Sequence, residues 1–270
     1  FKDRYTSLGE YLKGFAYTVG VLQSELSLER CGYEIAQDNI NEGVRYVEVR
    51  FAPQLHVHTH MNTVMVIKAV NRGLERAKKE FNQRPEVRSG LEPRFEYGII
   101  VCAMRMFNEH FSEYFKHLIS AHRYTPIKDV YQLASQELVR AAITARDEYG
   151  LPVVAFDLAG EEAGYPAEDH RDAFAYAHKK FLKKTVHAGE AYGPESIFQA
   201  ITDLYADRIG HGTYLLDPHA IKDPEIKDPE RYVRQLSQYI ADRRITLEVC
   251  LTSNLQTNPH MSSLSEHSFK

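Results

Sequence analysis

The sequence predicts a (β/α)8 barrel of the TIM type, with about six of the eight strands inside the 270 residues. Short runs rich in β-branched and aromatic residues alternate with longer helical patterns, which is typical of parallel βα units. No GxGxxG or GxxxxGKS/T loop follows any of these runs, which disfavours an open nucleotide-binding sheet. The length suits one barrel and no repeat or flexible linker divides the chain, so we predict a single domain over residues 1–270.

The predicted elements follow one another in a regular order. Apolar residues at helical spacing predict two opening helices, near residues 8–19 and 28–40. Six strands follow, and a helical pattern separates each strand from the next. The strands are predicted at residues 44–51, 95–104, 152–158, 185–187, 208–209 and 245–251, and the helices between them at 61–81, 171–184, 196–205 and 229–240, with one more ending at Gly150.

Composition and charge exclude several classes of protein. The net charge is -4 with both signs interspersed, so we expect a small-molecule partner and no nucleic acid. No apolar run approaches the roughly 18 residues that a membrane span requires, so we expect no membrane partner. Cys31, Cys102 and Cys250 form no CxxC pair and are odd in number, which argues against a disulfide framework and favours the cytoplasm.

Polar and glycine-rich clusters follow four of the six predicted strands. In a parallel barrel the loops after the strands form one face, and catalytic groups gather there because many strand ends converge on it. Folding alone does not account for four such clusters, so this face is the predicted active site. The clusters are residues 157–162, 187–190, 210–212 and 252–254.

His187 and Glu190 form the first candidate pair. His187 falls where a strand ends, and imidazole is a common zinc ligand when a neighbouring group fixes its other nitrogen. Glu190 follows a small Ala-Gly turn, where a protonated carboxyl would donate to a heterocyclic nitrogen of a substrate. The alternative for an isolated HxxE is a hydrogen-bonded core histidine and a glutamate favoured by a helix N-terminus.

His211 and Gly160 are the other candidates. His211 stands between two glycines after a short strand, so its ring can turn into a shared cavity and orient or deprotonate a water. Gly160 offers a backbone N–H after a strand, where a ring nitrogen of a substrate can approach closely. Each also has a simpler interpretation as a turn residue. The functional interpretation of both therefore depends on the presence of His187 and Glu190 at the same predicted face.

Residues 56–60, His-Val-His-Thr-His, look most like a metal site, because alternating side chains on an extended segment share one face. Pro53, however, ends the preceding strand several residues earlier. We therefore expect these histidines to lie in a solvated loop away from the barrel mouth. The charged segment 217–230 is likewise expected to be a surface loop.

Taken together and in this order, five motifs resemble the adenosine deaminase family. HAGE followed by RIGHG at this spacing is the specific part of the signal, and the match spans almost the whole chain. The motifs are VEVRF at 47–51, DLAGE at 157–161, HAGE at 187–190, RIGHG at 208–212 and TSN at 252–254.

The resemblance implies a barrel with one Zn²⁺ at its mouth and hydrolytic deamination of adenosine, and of 2′-deoxyadenosine, to inosine and ammonia. By that resemblance His187 is a zinc ligand, and Glu190 protonates N1 of the purine so that C6 becomes electrophilic. His211 orients the attacking water and helps to deprotonate it. Gly160 donates its backbone N–H to the purine, and residues 253–254 are scaffold near the mouth.

Two motifs of the family are missing from the 270 residues. The resemblance implies an HxH pair with two zinc ligands on the first barrel strand, and an Asp-Asp pair with the remaining ligand on the last. We expect the first pair before Phe1 and the second after Lys270, so that the chain is trimmed at both ends. Because a catalytic zinc site needs about three protein ligands, the 270 residues alone are expected to hold metal poorly or to be inactive.

Two other functions stay open. A deaminase of adenine or of a modified adenosine metabolite would carry nearly identical residues, since substrate choice depends on the rim of the pocket. A non-catalytic barrel that serves as a binding module would keep HAGE as scaffold. A secreted module of this kind is expected to bring a signal peptide and paired cysteines, and neither is visible in the sequence.

Overall fold

The structure is a computed structural model and describes residues 5–258 and 261–268. The strands are β1 (Tyr46–Phe51), β2 (Glu96–Met104), β3 (Val153–Ala159), β4 (Lys183–Ala188), β5 (Arg208–His211) and β6 (Thr246–Glu248). The α-helices are α1 (Leu8–Leu12), α2 (Phe15–Val21), α3 (Glu25–Asn41), α4 (Thr63–Asn82), α5 (Pro85–Arg88), α6 (Glu113–Ala121), α7 (Ile127–Asp147), α8 (Arg171–Lys179), α9 (Pro194–Asp203), α10 (Pro229–Asp242) and α11 (Leu251–Thr257). Within the described ranges, no helix combines the length and the apolar character that a membrane crossing demands.

The six strands form one parallel sheet in which each strand pairs with its neighbour in the sequence, from β1 to β6. Parallel neighbours need a crossover connection, and helices supply it each time; α9, for example, joins β4 to β5. This sequential order with helical crossovers is the order of a (β/α)8 barrel. The prediction of a barrel with about six of its strands in the chain is confirmed.

Ion pairs across the concave face show that the sheet is curled. Neighbouring strands lie about 4.8 Å apart, so β1 and β6 would be about 24 Å apart in a flat sheet. Arg50 on β1 nevertheless contacts Glu248 on β6, and Glu48 on β1 lies 2.5 Å from Arg208 on β5. The six strands therefore wrap around a common interior.

Alternation along β1 separates the barrel interior from the surrounding core. Glu48 and Arg50 point into the barrel, where they meet charged partners. Val49, between them, points outward into the main hydrophobic core, against which Val47 and Phe51 also pack. That core includes buried residues of both the sheet and the surrounding helices, so burial of apolar side chains holds the helices onto the barrel.

Helices α3 and α4 pack with their backbones in close contact. Gly73 on α4 allows this approach, because a methyl group there would lie 1.9 Å from the carbonyl oxygen of Glu29 on α3. Gly32 on α3 does the same, since a methyl group there would lie 2.5 Å from the carbonyl oxygen of Val70. The two glycines thus fix α3 to the helix that follows β1.

One predicted helix is too long. The helix predicted over 171–184 ends at Lys179, and residues 183 and 184 belong to β4. Phe181 turns the chain with a φ of 58°, and Lys184 donates hydrogen bonds to Asp207 from its backbone N–H and from Nζ. This contact with a residue distant in the sequence outweighs the local helical preference.

The last predicted strand, 245–251, is also too long. β6 ends at Glu248, and β5 pairs with residues 246 to 248 alone. Residues Leu251–Thr257 form α11 instead, and this helix buries Asn254 and Thr257. The Thr-Ser-Asn motif therefore lies on a helix that follows the strand.

Gly73→Ala tests the contact between α3 and α4. The added methyl group has no space, so we expect the free energy of unfolding to fall by about 1–3 kcal/mol, measured by urea-induced unfolding. Gly20→Ala is the matched control, because Gly20 is also helical and has nothing within 4 Å of the added methyl group. There the better helix propensity of alanine should stabilise the protein by up to about 1 kcal/mol. Equal destabilisation by both substitutions would contradict this packing.

Candidate active site

Three of the predicted site residues meet at the carboxyl ends of β4 and β5. The rings of His187 and His211 have their centroids 5.3 Å apart, and His211 Nε2 lies 3.5 Å from Glu190 Oε1. The side chains of His211 and Glu190 are 6% and 10% exposed. The structure therefore places an imidazole pair and a carboxyl group together in a largely buried environment.

The backbone leaves room for the His187 ring. Gly210 faces it from β5, and a methyl group there would lie only 3.3 Å from Cγ of His187. On the other side, β3 and β4 pair only at Ala155 with Lys183 and at Phe156 with Lys184. Beyond those pairs, Asp157 and His187 contact each other through their side chains across the gap between the strands.

Asp157 orients the His187 ring. Asp157 is fully buried at the end of β3, and its Oδ2 lies 3.0 Å from Nδ1 of His187. Burial acts to lower the pKa of His187, but the negative charge of Asp157 and their hydrogen bond raise it above its ordinary value. Burial likewise acts to raise the pKa of Asp157, and the charges of His187 and Arg50 lower it instead. This contact occupies Nδ1 and directs Nε2 of His187 away from Asp157.

Arg50 connects Asp157 to the far side of the barrel. Its Nε lies 3.3 Å from Oδ2 of Asp157, and its Nη2 donates to Glu248 on β6 and to the hydroxyl of Thr185 on β4. Glu248 also pairs with Arg208, at 3.1 Å. A continuous set of opposite charges thus runs through the barrel interior to the His187 ring.

Burial changes the protonation of Glu190. Burial raises the pKa of Glu190 to about 7, with His187 acting against this shift and the charge of Glu162 adding to it. A carboxyl group whose pKa is near 7 is protonated in a substantial fraction of molecules at neutral pH. Glu190 can therefore donate a proton as well as accept one.

His211 is held as a neutral ring. Burial lowers the pKa of His211 to about 3, and the charge of His187 adds to this effect. The side-chain amide nitrogen of Asn254 lies 2.9 Å from Nδ1 of His211, and the amide oxygen of Asn254 lies 3.2 Å from Nε2 of His267. Because an amide nitrogen only donates, Nδ1 of His211 accepts, and the proton of the neutral ring is on Nε2, which faces Glu190.

The backbone at His211 is unusual. His211 has a φ of 70° and Gly212 a φ of 66°, and non-glycine residues seldom adopt the left-handed region. Conformations of this kind persist where the surroundings determine them, as the contact with Asn254 does here.

Gly160 lies at the end of β3 on the same side of the barrel. Its φ of 114° is a conformation that glycine alone adopts readily. Its nearest surroundings are Met104 and Arg105 at the end of β2. The buried Arg105 in turn donates to the carbonyl oxygen of His187 at 2.5 Å, so Gly160 and His187 belong to one region.

The described residues do not form a complete metal site. His187 fits a metal ligand, because a carboxylate fixes its Nδ1 and leaves Nε2 for coordination. Over residues 5–258 and 261–268, however, no group of three His, Cys, Asp or Glu side chains could hold a metal ion. A catalytic zinc ion needs about three protein ligands, and His187 is one candidate ligand among the described residues.

The histidines of residues 56–60 are not simply solvated. His56 is only 5% exposed, and its Nδ1 lies 2.8 Å from the carbonyl oxygen of Leu22. His58 Nε2 lies 3.2 Å from the carbonyl oxygen of Gln23. The expectation of a solvated loop is therefore wrong for His56, because the segment packs against the chain that follows α2.

Several residues of the site were missed by the sequence prediction. Arg50 and Asp157 stood inside quoted motifs but received no role, although a charged residue within an apolar strand is itself a signal of a polar partner. Arg105 carried no comparable signal, and Asn254 was expected only as scaffold near the mouth. Their contacts join residues that are far apart in the chain, such as Asn254 and His211.

Comparison with known sequences identifies relatives over nearly the whole chain. The family model described as adenosine deaminase matches residues 1–270. The chain is 35% identical over 262 residues to adenosine deaminase 1 of Streptomyces coelicolor, with 97% of the chain covered. It is 36% identical over 267 residues to an adenosine deaminase of Mycobacterium sp. (strain KMS), again with 97% of the chain covered.

Comparison with solved structures supports the fold. An adenine deaminase from Arthrobacter aurescens superposes with a TM-score of 0.69 at 18% identity, covering 99% of this chain and 65% of that one. An Arabidopsis N6-mAMP deaminase gives a TM-score of 0.67 at 24% identity, covering 97% of this chain and 64% of that one.

Fold and site define a class: partial (β/α)8 barrels with ionisable side chains gathered at the strand ends. Within that class, the chain belongs to the adenosine deaminase family. It spans 56% of the length of the Streptomyces relative and 62% of the length of the Mycobacterium relative.

Arg50→Met tests the ion pairs inside the barrel. The substitution leaves Asp157 without one of its two charged partners in a fully buried position, so we expect the free energy of unfolding to fall by about 3–5 kcal/mol. Calorimetric unfolding measures the change. Arg30→Met is the control, because the Arg30–Glu34 pair is exposed on α3 and its loss should change stability little. Similar losses in the free energy of unfolding from both substitutions would show that the interior ion pairs stabilise the protein no more than an exposed pair does.

Proposed function

We propose that this chain carries the catalytic barrel of a zinc-dependent enzyme that hydrolyses adenosine, and 2′-deoxyadenosine, to inosine and ammonia. The observation that carries the proposal is the contact between Glu190 and His211, at 3.5 Å, beside the His187 ring at the strand ends. A proton donor, a neutral imidazole and a metal-ligand candidate are the groups that hydrolysis at C6 of a purine requires.

Glu190 is the proposed proton donor. In its protonated form it donates to N1 of the purine, which withdraws electrons from C6 and makes that carbon electrophilic. A pKa of about 7, raised by burial, supports this role, because a carboxyl group with its ordinary pKa would be ionised at neutral pH.

His211 is proposed to orient the attacking water. Its Nδ1 is engaged by Asn254, so the proton on Nε2 is directed to the side of the cavity where Glu190 lies. This arrangement supports a donor that positions the oxygen of the water. It does not support the expected help in deprotonating the water, because a ring nitrogen that carries a proton cannot accept another. Gly160 is proposed to donate its backbone N–H to the purine from the end of β3, where its open conformation lets a ring approach closely.

His187 is proposed to supply one ligand of the zinc ion, and we expect the other ligands outside the 270 residues. When bound, zinc supplies Lewis acidity that activates water near neutral pH. The orientation of His187 by Asp157 supports its role, since metal-binding histidines commonly give their second nitrogen to a carboxylate.

Adenosine is the proposed substrate because the relatives at about 35% identity are named adenosine deaminases. The solved structures include proteins named as an adenine deaminase and as an N6-mAMP deaminase, at 18% and 24% identity. We propose a cytoplasmic location, which free Cys31, Cys102 and Cys250 support, since thiols persist in a reducing compartment.

Glu190→Gln separates proton donation from metal binding. The amide cannot deliver a proton to N1, so we expect kcat to fall by on the order of 10²–10⁴-fold in the complete protein, measured as the adenosine-to-inosine absorbance change. Zinc content should stay the same. Glu225→Gln, which makes the same chemical change on an exposed loop, should leave both unchanged. Near-normal turnover by Glu190→Gln would rule out Glu190 as the donor.

A zinc assay combined with a substrate panel tests the function as a whole. The complete protein should contain about one zinc per chain and deaminate adenosine faster than adenine or N6-methyl-AMP, and chelation of the metal should abolish turnover. Residues 1–270 alone should bind zinc weakly and be inactive. Stoichiometric zinc without adenosine turnover would redirect the assignment to another aminopurine, and absence of zinc from the complete protein would favour a binding module.

A further inference from the structure

The carboxyl group of Glu162 is enclosed by the loop that carries Glu190. Glu162 lies three residues after β3 and is 6% exposed. Its two oxygens accept hydrogen bonds from four consecutive backbone N–H groups and from one hydroxyl. The donors are the N–H groups of Gly189 (2.8 Å), Glu190 (3.1 Å), Ala191 (2.7 Å) and Tyr192 (3.0 Å), and the hydroxyl of Ser196.

This arrangement suits a carboxylate specifically. Consecutive N–H groups that point to one side form an anion-binding concavity, which in many proteins receives a ligand. Here the chain fills the concavity with its own side chain. Because every partner of Glu162 is a donor, the group at this position must only accept, and an amide would turn its own NH₂ toward these donors.

The other side of the same loop is fixed to the segment after β5. The N–H of Gly212 donates to the carbonyl oxygen of Ala188 at 3.0 Å, and the N–H of Tyr214 donates to that of Gly189 at 3.1 Å. Gly189 turns the chain with a φ of 67°, where a methyl group would lie 2.6 Å from Ile197. The loop is therefore held between the segments after β3 and β5, and Glu162 provides the contact on the β3 side.

The loop held in this way carries the proposed proton donor. The backbone N–H of Glu190 is itself bonded to Glu162, so a shift of the Glu162 carboxylate displaces the backbone from which the Glu190 side chain extends. A displacement of about 1 Å in a catalytic group costs on the order of 100-fold in rate.

We propose that Glu162 is the positioning residue for Glu190: its carboxylate fixes residues 189–192 so that the Glu190 carboxyl group addresses the substrate. The proposal rests on the deaminase function proposed above. Both oxygens of Glu162 are bonded to the loop and to Ser196, so Glu162 acts through the loop and does not need to touch the substrate.

The test compares Glu162→Gln and Glu162→Asp in the complete protein, with Glu195→Gln as the matched control. Glu195 also accepts two backbone N–H bonds, from Lys222 and Asp223, but it holds a different loop. Two quantities are measured: kcat and KM for adenosine, and hydrogen–deuterium exchange at the amides of residues 189–192, which does not depend on activity.

We expect Glu162→Gln to lower kcat by on the order of 100-fold with KM nearly unchanged, and to accelerate exchange at residues 189–192. Glu162→Asp keeps the carboxylate but shortens its reach, so its kcat should fall between those of the wild type and the glutamine variant. Glu195→Gln should leave kcat and the exchange at residues 189–192 unchanged.

Unchanged kcat in a folded Glu162→Gln protein would overturn the proposal, whether or not exchange accelerates. Equal losses of kcat in Glu162→Gln and Glu195→Gln would overturn it too, as would an aspartate variant no better than the glutamine variant. If the wild type deaminates no aminopurine, the deaminase function fails. Exchange at residues 189–192 then decides separately whether Glu162 fixes the loop.

Discussion

The pairing of Arg50 with Asp157 inside the barrel is the interaction on which the rest of the site depends. A buried carboxylate is tolerated only when it is paired, and Arg50 on β1 supplies the partner of Asp157 on β3. Because the sheet is curled enough for β1 to face β6, Arg50 contacts Glu248 as well. Asp157 then fixes the His187 ring. The curvature of the sheet and the orientation of the candidate metal ligand are therefore linked through one group of charges. A flatter sheet would separate these charges and release the ring.

The loops above the strands are fixed by the loops next to them. Asn254 on α11 holds the neutral ring of His211, and Glu162 after β3 holds the turn that carries Glu190. Each side chain that would act on a substrate is thus positioned by a residue from another strand end. Contacts from elsewhere in the fold also stabilise the left-handed backbone at His211, a conformation that the residue itself disfavours.

Much of this architecture could be predicted from local sequence. Strand and helix alternate with distinct periods, and His187, Glu190 and His211 stand directly after strands, so topology brings them together. What could not be predicted depends on contacts between distant residues. The bond from Arg50 to Glu248 joins positions 198 residues apart. Where a longer strand was expected, pairing with β5 ends at Glu248 and α11 begins at Leu251. Local propensity contains no information about either.

The location of the charged network affects how the protein responds to its solvent. Coulombic attraction between exposed side chains weakens over about 10 Å at 0.1 M salt, whereas partly buried pairs are screened much less. Arg50, Asp157 and Glu248 lie in the barrel interior, with side chains that are 24%, 0% and 21% exposed. The geometry around His187 is therefore largely independent of ionic strength, while the many exposed pairs on the helices respond to each change of salt.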